Sequence, residues 1–240
     1  MLTCYERIVT VLEMFYNGPY APGLRVGYGS NNGSRPHQQD AAAAIGRRFA
    51  VFDGLGGHTD GEVAASIAAA AFRDTADQTF EAGIKRCHAA VLNGRRNRDS
   101  SSYTDETGGF TTLAAVEVQE TSYKLAWCGD SRVYVFRRRN RLGSRTEQVT
   151  KDHRFGRHRL AACLGYSDCE SETKEVGRQP ADILILATDG LFEFIDLEAV
   201  VEVYKNKPAQ ALADALLATV SANKTEDNAT VIVVKVGQKA

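Results

Sequence analysis

Apolar and polar positions along the chain follow two periods. Runs of strand length rich in β-branched, aromatic or small apolar residues predict strands at 24–30, 41–45, 49–52, 111–118, 123–128, 133–138, 172–176, 183–187 and 230–236. Bulky residues occupy both parities in some of them, as with Val133, Val135 and Tyr134, Phe136, so both faces of those strands are covered. Gly46-Arg47-Arg48 separates two of the runs at hairpin spacing. Residues 8–16 also read as β-rich, and the Gly and Pro of 17–23 mark a loop. From Glu62 onward the period changes: Val63, Ile67 and Ala71, with Ala64, Ala68 and Phe72, recur at helical spacing. Phe80, Ile84, Cys87, His88 and Val91 predict a second helix ending near Asn93-Gly94. Helices are also expected at 197–204 and 209–220, the latter with Leu212, Leu216, Leu217 and Val220 on one face. The stretch 95–109 has no periodicity and reads as a surface loop.

Helices in pairs, separated by sets of short-looped strands, imply an α+β arrangement of sheets with helices on their outer faces. The strict alternation of a doubly wound parallel sheet is absent. With 240 residues, 43% of them hydrophobic, the chain has material for a sizeable core, and a single domain over 1–240 is expected. The net charge of −1 gives no global reason to bind nucleic acid or an acidic membrane. Arg137-Arg138-Arg139-Asn140-Arg141 then reads as a hairpin tip, since no aromatic residues interleave it. The five cysteines are scattered, without CxxC pairs or zinc spacing, which suits a reducing, cytoplasmic setting. Glu6 and Glu13 interrupt any signal-peptide pattern, and no uncharged apolar run approaches the roughly 20 residues that span a bilayer.

Three carboxylates stand at the ends of apolar runs. Asp53 closes Val51-Phe52 and is followed by Gly54-Leu55-Gly56-Gly57-His58, glycines that permit turns closed to other residues. Asp189 follows the run 183–187 with Gly190 behind it, and Asp227 precedes Thr230-Val231-Ile232. Singly, an aspartate before glycine is ordinary turn chemistry. Jointly, three strand-end aspartates suggest one site for hard cations, Mg²⁺ or Mn²⁺, because the His and Cys ligands of zinc are not clustered. Two such ions bridged by one carboxylate can acidify a shared water for in-line attack on phosphorus. Asp53 is the candidate bridge.

These residues belong to a longer series: Asn32-Gly33-Ser34-Arg35-Pro36-His37-Gln38-Gln39-Asp40, the Asp53 segment with Gly61-Glu62, Gly109-Phe110-Thr111-Thr112, Cys128-Gly129-Asp130-Ser131-Arg132, Thr188-Asp189-Gly190, and Glu226-Asp227-Asn228. In this order and spacing, over about 27–236, the sequence resembles the protein phosphatase 2C (PPM-type) family of metal-dependent serine/threonine phosphatases, in its bacterial single-domain form. The resemblance implies a four-layer αββα sandwich of two antiparallel β-sheets flanked by helices. It further implies that Asp53 bridges two Mg²⁺ or Mn²⁺ ions, the Gly54 carbonyl binds one, Asp189 and Asp227 hold the other, and Asp40 acts through metal-bound water. Asp130 matches a residue that helps bind a weaker third ion, and its alternative is a cap on the turn into the next strand. Arg35 matches the arginine that grips the substrate phosphate, against a reading as a solvated turn residue.

The sequence departs from the family pattern at several points. Leu55 stands where some members carry a histidine that protonates the leaving alkoxide, and Gln39 replaces a residue often acidic. His58 is a structural hydrogen-bonding residue more readily than a catalytic one. The flap of the family is cut short here, with only a basic stretch around Arg154-Phe155-Gly156-Arg157-His158-Arg159 between Asp152-His153 and Leu164-Gly165. That stretch is either a solvated loop or a surface that meets the substrate. The expectation is a monomeric, cytoplasmic enzyme that hydrolyses phosphoserine and phosphothreonine in proteins through a metal-bridging water, opposing a serine/threonine kinase. The alternatives are a catalytically weak relative that binds phosphoproteins as a regulatory module, and an enzyme of small phosphate esters.

Overall fold

A computed structural model describes residues 20–56, 60–96, 109–139, 143–156, 159–167, 169–192, 195–223 and 225–237. The β-rich reading of 8–16, most of the 95–109 loop, and Gly57 and His58 lie outside these residues.

Two five-stranded antiparallel sheets carry the fold. The first has the order β12-β7-β6-β3-β2, formed by β2 (Ala41–Ile45), β3 (Arg48–Phe52), β6 (Leu113–Val118), β7 (Ser122–Cys128) and β12 (Glu172–Gly177). The second has the order β1-β14-β13-β8-β9, formed by β1 (Leu24–Asn31), β8 (Arg132–Arg139), β9 (Gly143–Gln148), β13 (Ile183–Ala187) and β14 (Ala229–Val236). Strand alternation sorts the side chains into three apolar layers. Phe49, Val51, Val116, Tyr123, Leu125, Val133, Val135, Leu184, Leu186, Ile232 and Val234 fill the space between the sheets. Residues of opposite parity on the first sheet, among them Ala43, Ala50, Phe52, Leu113 and Ala115, pack against helices α1 (Asp60–Arg73) and α2 (Phe80–Arg96). On the second sheet Phe136, Ile183, Ile185, Val231 and Val233 pack against α4 (Leu197–Tyr204) and α5 (Ala209–Ala222). This is the expected αββα order. Each fully buried large aliphatic or aromatic side chain contributes about 1.5–3 kcal/mol, so the bulky residues of both parities hold four layers together rather than two.

Alanine is used where helix and sheet come close. Ala64, Ala65, Ala68 and Ala69 of α1 are buried against alanines of β2 and Ala50 of β3. Thr79 Oγ1 accepts from Ala82 N at 3.2 Å at the start of α2, and Asp196 caps α4 by accepting from Ala199 N at 3.1 Å.

The elements differ from expectation at several places. Helix α2 continues through Gly94 to Arg96. A Cβ on Gly94 would lie 2.7 Å from Ile67 Cδ1, so this glycine admits α1 instead of ending α2. The predicted strand 111–118 is divided into β5 (Phe110–Thr111) and β6, because Thr112 turns its backbone to Asp53, donating from N to the Asp53 carbonyl at 2.8 Å. Strand β9, Gly143–Gln148, was not expected. Asp189 opens a short helix, α3 (Asp189–Phe192), directly after β13.

Candidate metal centre

Strand ends bring four carboxylates to one place. Asp53 follows β3, Asp130 lies between β7 and β8, Asp189 follows β13, and Asp227 precedes β14. Oxygens of Asp53, Asp130 and Asp189 all lie within 4.8 Å of one another. Asp227 lines the same cleft, about 510 Å³ in volume, together with Arg35, Gln39, Gly54, Leu55, Arg154 and Asn228. Asp40 is not a lining residue of the cleft. It accepts from Thr188 Oγ1 at 2.8 Å and is near enough to Asp189 and Asp227 to feel their charge.

The backbone around Asp53 is held by buried hydroxyls. Asp53 N donates to Thr112 Oγ1 at 2.9 Å, and Thr111 Oγ1 donates to the Asp53 carbonyl at 2.9 Å. Thr112 Oγ1 in turn lies 2.7 Å from Ser131 Oγ, coupling this strand end to the Asp130 turn. A Cβ on Gly54 would fall 2.2 Å from the Gly61 carbonyl oxygen and 2.5 Å from that of Gln39. Gly54 is therefore a glycine because the start of α1 packs on it. Gly56, with φ of 129°, has the backbone angle that the glycine-rich turn requires.

The 32–39 loop is pinned by Asn228, which is 4% exposed. Its Oδ1 accepts from Gln39 N at 2.8 Å, and its Nδ2 donates to the carbonyls of Asn32 and His37, each at 3.0 Å. That loop carries Arg35, whose Nη2 donates to Asp227 Oδ2 at 3.1 Å with both side chains about half exposed. Gln39 Nε2 donates to the Gly56 carbonyl at 3.3 Å.

Crowded carboxylates resist ionisation. Burial, reinforced by the charges of Asp40, Asp189, Asp130 and Asp227, pushes Asp53 well above the usual carboxylate range. Burial also pushes Asp40 up to about 7, with Asp189 and Asp227 adding to the rise and the hydroxyls of Thr230 and Thr188 opposing it. Asp130 is raised by burial against the pull of Arg154. A cluster whose carboxylates hold protons this strongly even with Arg35 and Arg154 beside them is one that a divalent cation would stabilise. The donors fit such an ion. They are carboxylate and carbonyl oxygens, and among the described residues no histidine or cysteine lines the cleft.

Arg154 was not singled out by the sequence reading, which treated its stretch as a solvated or substrate-facing loop. Instead β10 (Arg154–Phe155) and β11 (Arg159–Leu160) form a small hairpin, and Arg154 turns inward. Its Nε donates to Asp130 Oδ2 at 2.5 Å and its Nη2 to Asp189 Oδ2 at 2.9 Å. Arg157 and His158 lie outside the described residues. His153 serves the scaffold: Nδ1 accepts from Gly129 N at 3.2 Å, and Nε2 is 3.1 Å from Glu172. Arg132 is likewise structural, forking onto Asp152 at 2.7–3.2 Å and lying 3.8 Å over the Phe192 ring.

Two apposed antiparallel sheets flanked by helices, with an all-oxygen cluster where strand ends meet, is the architecture of the PPM-type, or protein phosphatase 2C-type, phosphatases. The chain belongs to this family, and the family model described as Stage II sporulation protein E (SpoIIE) matches residues 47–237. It is 29% identical over 209 residues to the serine/threonine phosphatase stp of Listeria monocytogenes serotype 4b (strain F2365), covering 77% of this chain and 82% of that protein. It is 26% identical over 226 residues to the serine/threonine protein phosphatase PstP of Mycobacterium tuberculosis (strain CDC 1551 / Oshkosh), covering 84% of this chain and 43% of that protein. The crystal structure of M. tuberculosis PstP/Ppp aligns with a TM-score of 0.76 at 25% identity, over 90% of this chain and 99% of that one. The catalytic domain of PstP in complex with 2 manganese ions aligns with a TM-score of 0.75 at 25% identity, over 90% of this chain and all of that one.

Proposed function

We propose that the chain is a metal-dependent serine/threonine protein phosphatase that hydrolyses phosphoserine and phosphothreonine esters. The observation that carries the reading is the convergence of Asp53, Asp130, Asp189 and Asp227 on one open cleft with Arg35 at its edge. Asp53, the Gly54 carbonyl, Asp189 and Asp227 would hold Mg²⁺ or Mn²⁺, with Asp40 acting through water. Bound there, the ions supply an acidified water and neutralise charge on the phosphoryl oxygens.

The chain's own groups do the rest. Arg35 binds the phosphoryl group: one Nη2 bond to Asp227 orients the guanidinium, and the fork offers further N–H groups to phosphate oxygens. Asn228 keeps the Arg35 loop in place. Leu55 moves no proton, and the leaving alkoxide would take its proton from water held at the metal site. Phosphorylated protein segments are the substrates, and a serine/threonine kinase that makes them is the natural opponent. A single-domain monomer in the cytoplasm fits the reading. Among the described residues no helix is long and apolar enough to cross a membrane.

The test is phosphate release from a phosphothreonine peptide with Mn²⁺. EDTA should abolish turnover, and Asp189→Asn should lower it by at least about 100-fold. Turnover that survives EDTA, or that is faster on small phosphate metabolites than on phosphoproteins, would overturn the assignment.

A further inference from the structure

The acidic cluster already contains a cation. Arg154 spans one edge of it, with Nε on Asp130 and Nη2 on Asp189, at 2.5 and 2.9 Å. These are two of the three carboxylates whose oxygens come within 4.8 Å of one another. The pairing is sheltered: the side chains of Asp130, Arg154 and Asp189 are 7%, 21% and 21% exposed. A guanidinium placed between two carboxylates fills space and supplies charge where an ion shared by those carboxylates would sit.

The scaffold delivers Arg154 to that position from both directions. On the N-terminal side, Trp127 Nε1 donates to the Lys151 carbonyl at 2.9 Å, and Asp152 is clamped by Arg132 and by Gln148 Nε2 at 2.9 Å. His153 N donates to the Gly129 carbonyl at 2.9 Å, tying the segment to the residue beside Asp130. On the C-terminal side, Arg154 pairs with Leu160 in the β10–β11 hairpin, and Ala161 N donates to the His153 carbonyl at 2.7 Å. The backbone on both sides is fixed before the side chain makes its contacts, which is how a protein builds a preorganised charge.

We propose that Arg154 is a built-in cation that takes the Asp130–Asp189 edge of the cluster in place of a divalent ion. The catalytic ions would then be held on the other edge of the cluster, by Asp53, Asp189 and Asp227, which line the same cleft. The inference rests on the metal-dependent reading above. It adds that the number of ions bound is set by an arginine of this chain.

Equilibrium dialysis against Mn²⁺, with the metal counted by inductively coupled plasma mass spectrometry, tests it without reference to turnover. The wild-type chain should bind two ions, and Arg154→Ala and Arg154→Gln should each bind a third, more weakly. Arg154→Lys, which keeps the charge, should stay at two, and Asp130→Asn in the Arg154→Ala background should return the count to two. Thermal unfolding of each variant confirms that it is folded. A third ion in the wild-type chain, or two ions in both neutral variants, would overturn the role of Arg154 while leaving the metal-dependent reading intact. No ion in any protein would overturn both.

Discussion

A single buried amide, Asn228, holds the loop that leads from Arg35 to Asp40, and its removal gives a calculable loss. Three hydrogen bonds disappear in Asn228→Ala: Gln39 N to Oδ1 at 2.8 Å, and Nδ2 to the carbonyls of Asn32 and His37 at 3.0 Å. Each such bond is worth about 1 kcal/mol net, and a partner left buried and unpaired costs about 1–3 kcal/mol. Asn32, His37 and Gln39 are themselves partly exposed, so water re-solvates part of what is lost. The expected cost is then about 2–4 kcal/mol. At about 2–4 °C per kcal/mol for a chain of this size, Tm should fall by roughly 4–16 °C. Asn228→Asp distinguishes hydrogen bonding from shape. It keeps an acceptor for Gln39 N but sets a carboxylate against two carbonyl oxygens and beside Asp227, and should destabilise at least as much as alanine. Freed from this anchor, the loop no longer presents Arg35, so kcat/KM on a phosphothreonine peptide should fall in both variants beyond what the unfolded fraction explains. Urea unfolding with matched kinetics is the assay. An alanine variant within about 0.5 kcal/mol of wild type, or an aspartate variant as stable as wild type, would refute the anchoring role.

Other substitutions and conditions follow from the same geometry. Gly54→Ala places a methyl group 2.2 Å from the Gly61 carbonyl oxygen, so α1 or the Asp53 turn must shift; a stability loss of about 1–3 kcal/mol with weakened Mn²⁺ binding is expected, and unchanged Mn²⁺ titration would contradict it. Arg48 donates to Glu117 Oε1 at 2.7 Å and to the carbonyls of Thr75 and Gln78 at 2.8 Å, so Arg48→Met should cost about 2–4 kcal/mol in urea unfolding while leaving metal affinity unchanged. In metal-free protein, Asp40 holds its proton up to about pH 7, against the usual 3.8 of the unfolded chain. The folded state therefore binds more protons in that window, and stability falls as pH rises through it. Differential scanning fluorimetry in EDTA should give a lower Tm at pH 8 than at pH 5.5, with the difference reduced in Asp40→Asn and reversed by Mn²⁺; a Tm that rises with pH would contradict the buried-carboxylate account.

The parts of the fold legible in the sequence were those written in apolar periodicity. Bulky residues at both parities of β8 pointed to a strand covered on two faces, and the structure has the sheet-on-sheet core on one side and helices on the other. Strand β9 was hidden because Gly143–Gln148 is polar throughout and becomes a strand by pairing with β8 at the sheet edge. Gly94 misled because glycine after a helical run is a common stop, whereas here it makes room for Ile67 of a neighbouring helix. Asp53, Asp189 and Asp227 could be picked out because each stands at the boundary of an apolar run, whereas Asp130 came only from the family resemblance. Arg154 could not, since a charged residue in a basic stretch looks the same in solvent as in a cleft. Its inward turn is produced by contacts from Trp127, Arg132 and Gly129, all distant in sequence.

The central claim is that carboxylates from separate strand ends form one divalent-cation site. Anomalous diffraction at the manganese edge, from crystals grown with Mn²⁺, tests it most directly. The account predicts peaks within coordination distance of Asp53, with Asp189 and Asp227 among the ligands. Peaks confined to other surfaces, or none in the cleft at saturating Mn²⁺, would contradict it.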